Sequence, residues 1–369
     1  MKKNLSILIK TVLFLVLFAA LWNLCQPLRL LNRISLYNVI LPGRERLPFG
    51  ENPRTAYNFS IGSLDAAFAS HKINGAPAKD PLTLRVIAVG DSSIWGTMLH
   101  PEETLCGRLN GRILADGRTI DCYNLAYPTL SLTKDYLLLN RVMDFDPDLI
   151  LWPTTLESFS VDNQADNDLV RANPDEYRRY FPDAAAEEAD ISPLEKSIWG
   201  QRREAADWLR LQLYGFMWAG TGIDQVYPDW YPSAKTDLEA DPSFHGYEGA
   251  LPDDALAWDV LEKGMALAGE TPVLIINEPI LISSGKNSEI RYNYYYPREA
   301  YDSWREALAE RARKNGWNFL DLWDVLEADY FTNTAIHYNA EGASYLAEKT
   351  FEQIELLLSN GTSQAQAGG

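Results

Sequence analysis

From residue 84 onward, short apolar runs alternate with longer amphipathic stretches, and this rhythm constrains the fold more than any other feature of the chain. LRVIAVG (84–90), TIDCYNLAYP (119–128), DPDLILWPTT (146–155), TPVLIINEP (271–279) and WNFLDLW (317–323) read as strands. Between and after them, PEETLCGRLNGRILAD (101–116), LTKDYLLLNRVMDF (132–145), REAYDSWREALAERARKNG (298–316) and NAEGASYLAEKTFEQIELLLS (339–359) read as helices. Continuous apolar runs of this length suit strands buried on both faces. Pro101 at a first turn and Gly316 after a last one mark helix ends. Strand–helix alternation implies a three-layer α/β/α sandwich with a mostly parallel central sheet.

Two segments break the rhythm. MKKNLSILIKTVLFLVLFAALWNLC opens the chain, and its apolar stretch from Leu5 to Cys25 is interrupted mainly by Lys10. As a helix rising ~1.5 Å per residue it reaches roughly 30 Å, enough to cross a bilayer. Trp22-Asn23-Leu24-Cys25 is a poor cleavage site, which favours an uncleaved anchor (1–25) over a removed signal peptide. Lys2, Lys3 and Lys10 are expected to place the N-terminus inside and the remainder on the extracytoplasmic side of the membrane, against a weaker opposing bias from Arg29 and Arg33. Residues 26–80, including LPGRERLPFGENPRTAYNFS, read as a linker that packs on the domain. The second break is 157–255, with acidic DAAAEEAD, a helix around QRREAADWLRLQLYGFMWAG and the aromatic VYPDWYPSAKTD. It reads as a largely helical, cap-like insertion. The α/β domain is then 81–156 plus 256–357, followed by a frayed tail, 358–369.

The chain carries 51 acidic and 33 basic residues, a formal net charge of −18. That balance opposes a nucleic-acid partner, because phosphate neutralisation needs clustered Lys and Arg. Three cysteines form no disulfide framework. Cys106 and Cys122 are expected as two small buried hydrophobes, with pairing open in an oxidising compartment. No clustered metal-ligand spacing, phosphate loop or dinucleotide fingerprint is present, so neither metal nor cofactor is expected.

VIAVGDSSIWG (86–96) ends a buried run on hydroxyls, and Ser92 sits where a side chain faces the crevice at the carboxyl ends of strands. A serine is a weak nucleophile without a base. Of four histidines, His71 precedes the domain, His100 stands beside Pro101 and His245 falls in the insertion. His337, in FTNTAIHYNAEG directly before the last helix, is the natural base.

GDSSIWG together with the late His-x-Asn-x-x-Gly, in this element order, resembles the SGNH (GDSL-type) hydrolases and related envelope acyltransferase-like domains over roughly residues 84–355. The resemblance implies an SGNH/flavodoxin-like fold, Ser92 as nucleophile and His337 as base. It also implies an oxyanion hole from the Ser92 N–H, a second-block glycine and a third-block asparagine. The second block here is YNLAYPTLS, leaving the N–H of Ala126 or Thr129 as donors, while Pro128 has none. The third block, LWPTTLESF, offers Thr154 or Thr155 in place of the amide. Position 334 is threonine where the family places its aspartate. Asn333 is therefore the candidate orienter of the imidazole, with Asp329 (or Asp324) as a weaker alternative. NEPILISSGKNSEIRYNYYYP (277–297) is crowded with hydrogen-bonding and flat side chains, which suits either contact with sugars or a well-packed long loop in which Arg291 meets Glu278 or Glu289. Asn287, Arg291, Asn293 and Tyr295, with Asn124, are its candidate substrate contacts.

The expected function is an anchored serine esterase or O-acyltransferase acting on envelope or exported polysaccharide through an acyl-serine. The resemblance implies an acylated glycan substrate and a membrane-embedded acyl carrier or acyltransferase as partner. The rival reading is a catalytically inactive scaffold that binds polysaccharide or holds an assembly together.

Overall fold

A computed structural model describes residues 2–35, 43–50, 61–165, 167–182, 197–222 and 231–367. DAAAEEAD and parts of the LPGRERLPFGENPRTAYNFS and VYPDWYPSAKTD stretches lie outside these residues. Five strands, β1 (Thr83–Ala88), β2 (Thr119–Asn124), β3 (Leu149–Thr154), β4 (Val273–Asn277) and β5 (Asn318–Asp321), form one sheet in the order β2-β1-β3-β4-β5. Every pairing is parallel, with Ile87 opposite Tyr123 and Ile150, and Ile275 opposite Trp152 and Phe319. This is the doubly wound order of flavodoxin-like sheets. Its direction reverses between β1 and β3, where a crevice opens at the strands' carboxyl ends.

The helices include α1 (Lys2–Cys25), α2 (Leu64–Ser70), α3 (Ser92–Trp95), α4 (Leu105–Leu109), α5 (Leu132–Val142), α6 (Leu156–Phe159), α7 (Arg202–Thr221), α8 (Trp258–Ala268), α9 (Arg298–Asn315) and α10 (Ala340–Ala367). Side chains alternate across each strand, so both faces of the sheet are apolar. Ile87, Tyr123, Ile150, Trp152 and Ile275 pack with α2, α5, α8 and α9. Val86, Ala88, Cys122, Leu151 and Ile276 pack with α4 and α10 on the other face. Gly264 of α8 lets that helix close on the sheet, since a Cβ there would stand 2.4 Å from the Trp152 ring.

Three local differences from the sequence reading have physical causes. The stretch 101–116 is not one helix. A 3-10 turn, Pro101–Glu103, stops where the Thr104 hydroxyl donates to Pro101 O (2.8 Å) and accepts the Gly107 N–H (3.2 Å), starting α4 afresh. Cys106 and Cys122 are not two separate thiols. α4 lies on β2 with these Cα atoms 5.1 Å apart, and the sulfurs are joined in a disulfide. The last helix continues to Ala367, beyond the end of its apolar stripe.

The described parts of the inserted region run two ways. α7 binds the chain just after α1: Trp208 Nε1 donates to Leu31 O (2.6 Å) and Gln212 Nε2 to Ile34 O (3.0 Å). The 231–248 segment instead runs beside the loop after β4. The Leu238 N–H donates there to Lys286 O (2.9 Å), and the Ala234 N–H reaches Thr332 O (2.9 Å) in the loop between β5 and α10. α1 is long and apolar enough to cross a membrane and none of its apolar window is buried, a description a signal sequence also fits.

Candidate functional site

β1 ends in Val89-Gly90-Asp91, and the chain turns at once into α3. Gly90 is required at this turn. Its φ is +145°, and an added Cβ would stand 3.1 Å from Ile94 and 3.2 Å from Pro153 O. Asp91 caps α3, its Oδ1 accepting both the N–H and the hydroxyl of Ser93 (2.8 Å each). Ser92 is thus the first residue of a short helix at the carboxyl end of the sheet.

His337 arrives from the loop before α10. Its backbone N–H donates to Thr334 Oγ1 (3.1 Å), and the Thr332 N–H closes onto His337 O (2.8 Å). The Ser92 hydroxyl lies 2.7 Å from Nε2, and Nδ1 lies 2.9 Å from Asn333 Oδ1. Because an amide oxygen only accepts, Nδ1 carries the hydrogen and Nε2 presents its lone pair to the Ser92 O–H. Burial lowers the His337 pKa from 6.5 to about 4, so the imidazole is neutral at pH 7. Asp329, the alternative orienter, stands in the 3-10 turn Ala328–Tyr330, where its carbonyl accepts from Asn339 (3.3 Å). Asn333 occupies the second imidazole nitrogen in its place.

The other candidate residues are arranged differently from the sequence reading. Among the described residues no hydrogen bond occupies the backbone N–H of Ser92 or Thr129. The Ala126 N–H is committed to Asn124 Oδ1 (3.2 Å), while Asn124 Nδ2 holds Ile94 O (2.7 Å), so both brace the turn. Thr129 Oγ1 accepts from Asn167 (2.7 Å). Thr154 Oγ1 is buried without a hydrogen-bond partner, and Thr155 Oγ1 is bonded to the Tyr296 hydroxyl (2.6 Å). Arg291 is a strut. Its guanidinium donates to the carbonyls of Asp241 (2.6 Å), Ser243 (3.2 Å), Asn293 (3.2 Å), Tyr294 (3.0 Å) and Tyr295 (2.9 Å). Asn293 is fully buried, accepting the N–H groups of Tyr295 (2.9 Å) and Tyr296 (3.1 Å). Asn287 Nδ2 donates to Leu238 O (2.7 Å). These polar groups of the 277–297 loop therefore fix its own shape and hold the neighbouring 238–243 segment. His245 stands between Glu157 (2.9 Å) and Asp162 (3.2 Å). His71 is buried between the Ile73 N–H and Glu45 O, with its pKa lowered to about 3 by burial.

Two features were not foreseen. Behind Ser92 lies a buried polar cluster of Asp91, Asp135, Glu278 and Lys134. Lys134 Nζ touches Asp135 Oδ1 (2.5 Å) and donates to Gly90 O (2.6 Å). Asp135 also accepts from Trp152 Nε1 (3.1 Å). The Ser93 hydroxyl meets Glu278 Oε2 as well as Asp91, and the Tyr338 hydroxyl donates to the same Glu278 oxygen (3.2 Å). One hydroxyl hydrogen cannot serve two carboxylates. Burial and the nearby Asp91 push Glu278 well above the usual carboxyl range, so Glu278 is protonated and donates to Ser93, which donates to Asp91. The signal in the sequence was a glutamate ending the apolar run VLIINE.

The second feature is Arg46, from the segment preceding the domain. It is 1% exposed, stacks 4.1 Å from the Trp95 ring, and donates to the carbonyls of Trp95 (3.3 Å), Gly96 (2.8 Å) and Leu99 (3.0 Å). Trp95 Nε1 returns a hydrogen bond to Leu47 O (2.8 Å). The guanidinium thus secures the outgoing end of α3, whose first residue is Ser92.

Fold and site together define an α/β protein with a serine–imidazole–amide relay at the carboxyl edge of a parallel sheet. Among the described residues no group of three His, Cys, Asp or Glu is placed to hold a metal ion. No family model matches the chain, and no curated protein does. Solved structures with similarity include a member of the lipolytic protein G-D-S-L family from Veillonella parvula DSM 2008 (11% identity, 73% of this chain and 97% of that one, TM-score 0.36). A carbohydrate acetylesterase family member from Sinorhizobium meliloti (12%, 75% and 100%, TM-score 0.37) and the M. smegmatis aryl esterase (12%, 74% and 100%, TM-score 0.37) are others. With TM-scores below 0.5, the functional reading rests on the geometry of the site itself.

Proposed function

We propose that this chain is a membrane-anchored SGNH-type serine esterase or O-acyltransferase that works outside the cytoplasm on acylated polysaccharide. The observation that carries the reading is the 2.7 Å approach of Ser92 Oγ to His337 Nε2, with Asn333 holding Nδ1. Ser92 Oγ attacks the ester carbonyl carbon while its hydrogen passes to Nε2. The imidazolium returns that proton to the leaving alcohol oxygen as the carbon–oxygen bond breaks, giving an acyl-serine. Water, or a glycan hydroxyl, then attacks the acyl carbon as His337 takes its hydrogen, and the bond between the acyl carbon and Ser92 Oγ breaks as the imidazolium returns that proton to Oγ. The Ser92 N–H is the first oxyanion donor, with the Thr129 N–H and the Thr154 hydroxyl as its candidate companions.

Two observations support the location. Lys2, Lys3 and Lys10 flank and enter the start of α1, which favours a cytoplasmic N-terminus. The Cys106–Cys122 disulfide suits an oxidising compartment. The inserted region, through its 231–248 segment beside Thr332, is proposed to form part of the rim that meets the glycan. The test is covalent labelling of the full chain in detergent with a fluorophosphonate, followed by peptide mass spectrometry. The reading expects an adduct on Ser92 that is absent in Ser92→Ala and formed far more slowly in His337→Ala. A well-folded chain that never labels at Ser92 overturns the enzyme reading in favour of a scaffold.

A further inference from the structure

α7 carries two kinds of surface. Leu211, Gln212, Gly215 and Trp218 face the protein and are buried. Leu209, Leu213, Phe216 and Met217 recur at helical spacing on the outer side, and Leu209 and Leu213 are 52% and 62% exposed. Arg202, Arg203 and Arg210 edge this stripe, and Trp199 stands exposed just before the helix. A soluble domain seldom leaves a continuous apolar stripe of this kind uncovered.

The neighbouring chain identifies what covers it. Trp22, in the last turn of α1, donates to Gln201 Oε1 (2.8 Å), and Gln201 Nε2 donates to Gln26 Oε1 (2.9 Å). Asn32 Nδ2 reaches Glu204 Oε1 (2.6 Å), and Trp208 and Gln212 hold Leu31 O and Ile34 O. α7 is therefore fastened over its first half to the segment leaving the apolar span. That segment itself exposes Leu24, Leu30 and Ile34. The exposed apolar surface of α1 thus continues onto α7. An amphipathic helix with apolar residues on one side and flanking arginines suits the boundary between headgroups and acyl chains.

We infer that α7 lies in the plane of the membrane surface beside the α1 span, with Leu209, Leu213, Phe216 and Met217 seated in the lipid. The inference rests on the anchored reading of α1 and adds a second attachment, which sets how the domain is turned over the bilayer.

Single cysteines at Leu209, Leu213 and Phe216, in a Cys25→Ser full chain, would carry an environment-sensitive NBD label. The chain would be reconstituted in phosphatidylcholine/phosphatidylglycerol nanodiscs. Labels at Leu13 and at exposed Asp116 report the span and the aqueous surface. The expected result is blue-shifted emission at 209, 213 and 216 with at least twofold quenching by nitroxide lipids, while the 116 label answers only to iodide. Iodide quenching at 209–216 equal to that at 116, with Leu13 quenched by lipid nitroxide, overturns the in-plane helix and leaves the anchor intact. Blue-shifted emission that ignores lipid nitroxide places another protein surface on the stripe and also overturns it. An unquenched Leu13 label rejects the anchor and the inference together. None of these labels touches the Ser92–His337 pair, so fluorophosphonate labelling of the same samples reports the proposed enzyme separately.

Discussion

The two sides of the Ser92–His337 contact are built from opposite materials. Behind the serine, three carboxyl groups and a lysine are packed out of water. Behind the imidazole there is an amide, and burial is what depresses the His337 pKa. Charge is invested where it fixes the backbone at Gly90 and Asp91, and withheld where it would stabilise an imidazolium. In the proposed reaction, holding Ser92 still and driving the proton transfer are thus separable tasks, and the buried charge of this chain lies with the first.

The strongest way to break that contrast is at the contact itself. Ser92→Ala should cost roughly 10⁴-fold or more in ester turnover, because no second nucleophile stands in the relay. Turnover within tenfold of the parent, measured on a chromogenic acyl ester, would refute it. On the charged side, Lys134→Met strands Asp91 and Asp135 in a buried setting. A loss of about 3–5 kcal/mol is expected in denaturant unfolding, and a change below about 1 kcal/mol would mean the cluster is not ionised as described. Arg46→Lys keeps the charge but loses the planar fork and the stacking on Trp95. It should slow fluorophosphonate labelling about tenfold, which is about 1.4 kcal/mol. Unaltered labelling would show that the turn holds itself.

Asn333→Asp converts the uncharged side into a charged one. For the parent, activity should persist as pH falls until His337 takes up a proton near 4. A carboxylate at 333 raises the imidazole pKa. The variant should therefore lose activity at pH 5 to 6, yet outpace the parent by about tenfold at pH 8 through better stabilisation of the imidazolium. Parallel pH–kcat/KM profiles would contradict this account of the amide.

The smallest effect is on stability. Glu278 is raised in the folded state, so that state keeps a proton the unfolded chain loses near its ordinary pKa of 4.5. Stability from this group falls as pH climbs above 4.5. Glu278→Gln removes that slope, so its stability relative to the parent should improve from pH 5 to pH 8. His337 and His71 act with the opposite sign. Both are lowered, so the unfolded chain binds protons first, and stability falls as pH drops below 6.5 toward 4 and 3. A Glu278→Gln difference that stays flat with pH would mean the glutamate is ionised after all.

The order of elements was legible because each strand is a short apolar run that ends on a polar residue. Ser92 was marked by the end of such a run and His337 by its place directly before the last helix, and their side chains meet. What stayed hidden depends on side chains far apart in sequence. Glu278 ends an apolar run just as ordinary loop residues do, and only its partners Ser93 and Tyr338 give it meaning. Arg46 lay in a stretch whose proline, glycine and charge suggested a linker packing on the domain, with nothing to single out this arginine. The polar residues of the 277–297 loop invited a ligand, but Arg291 and Asn293 turn inward to satisfy carbonyls and N–H groups of the loops around them. Composition counts hydrogen-bonding groups without saying which are already satisfied.

The Arg46 contact ties the chain between α1 and the α/β domain to the serine turn. The stalk is therefore part of the working unit. Proteolytic shedding upstream of residue 43 would release a domain that keeps this clasp. A cut from residue 51 onward would liberate an otherwise similar body whose serine turn had lost its outer brace.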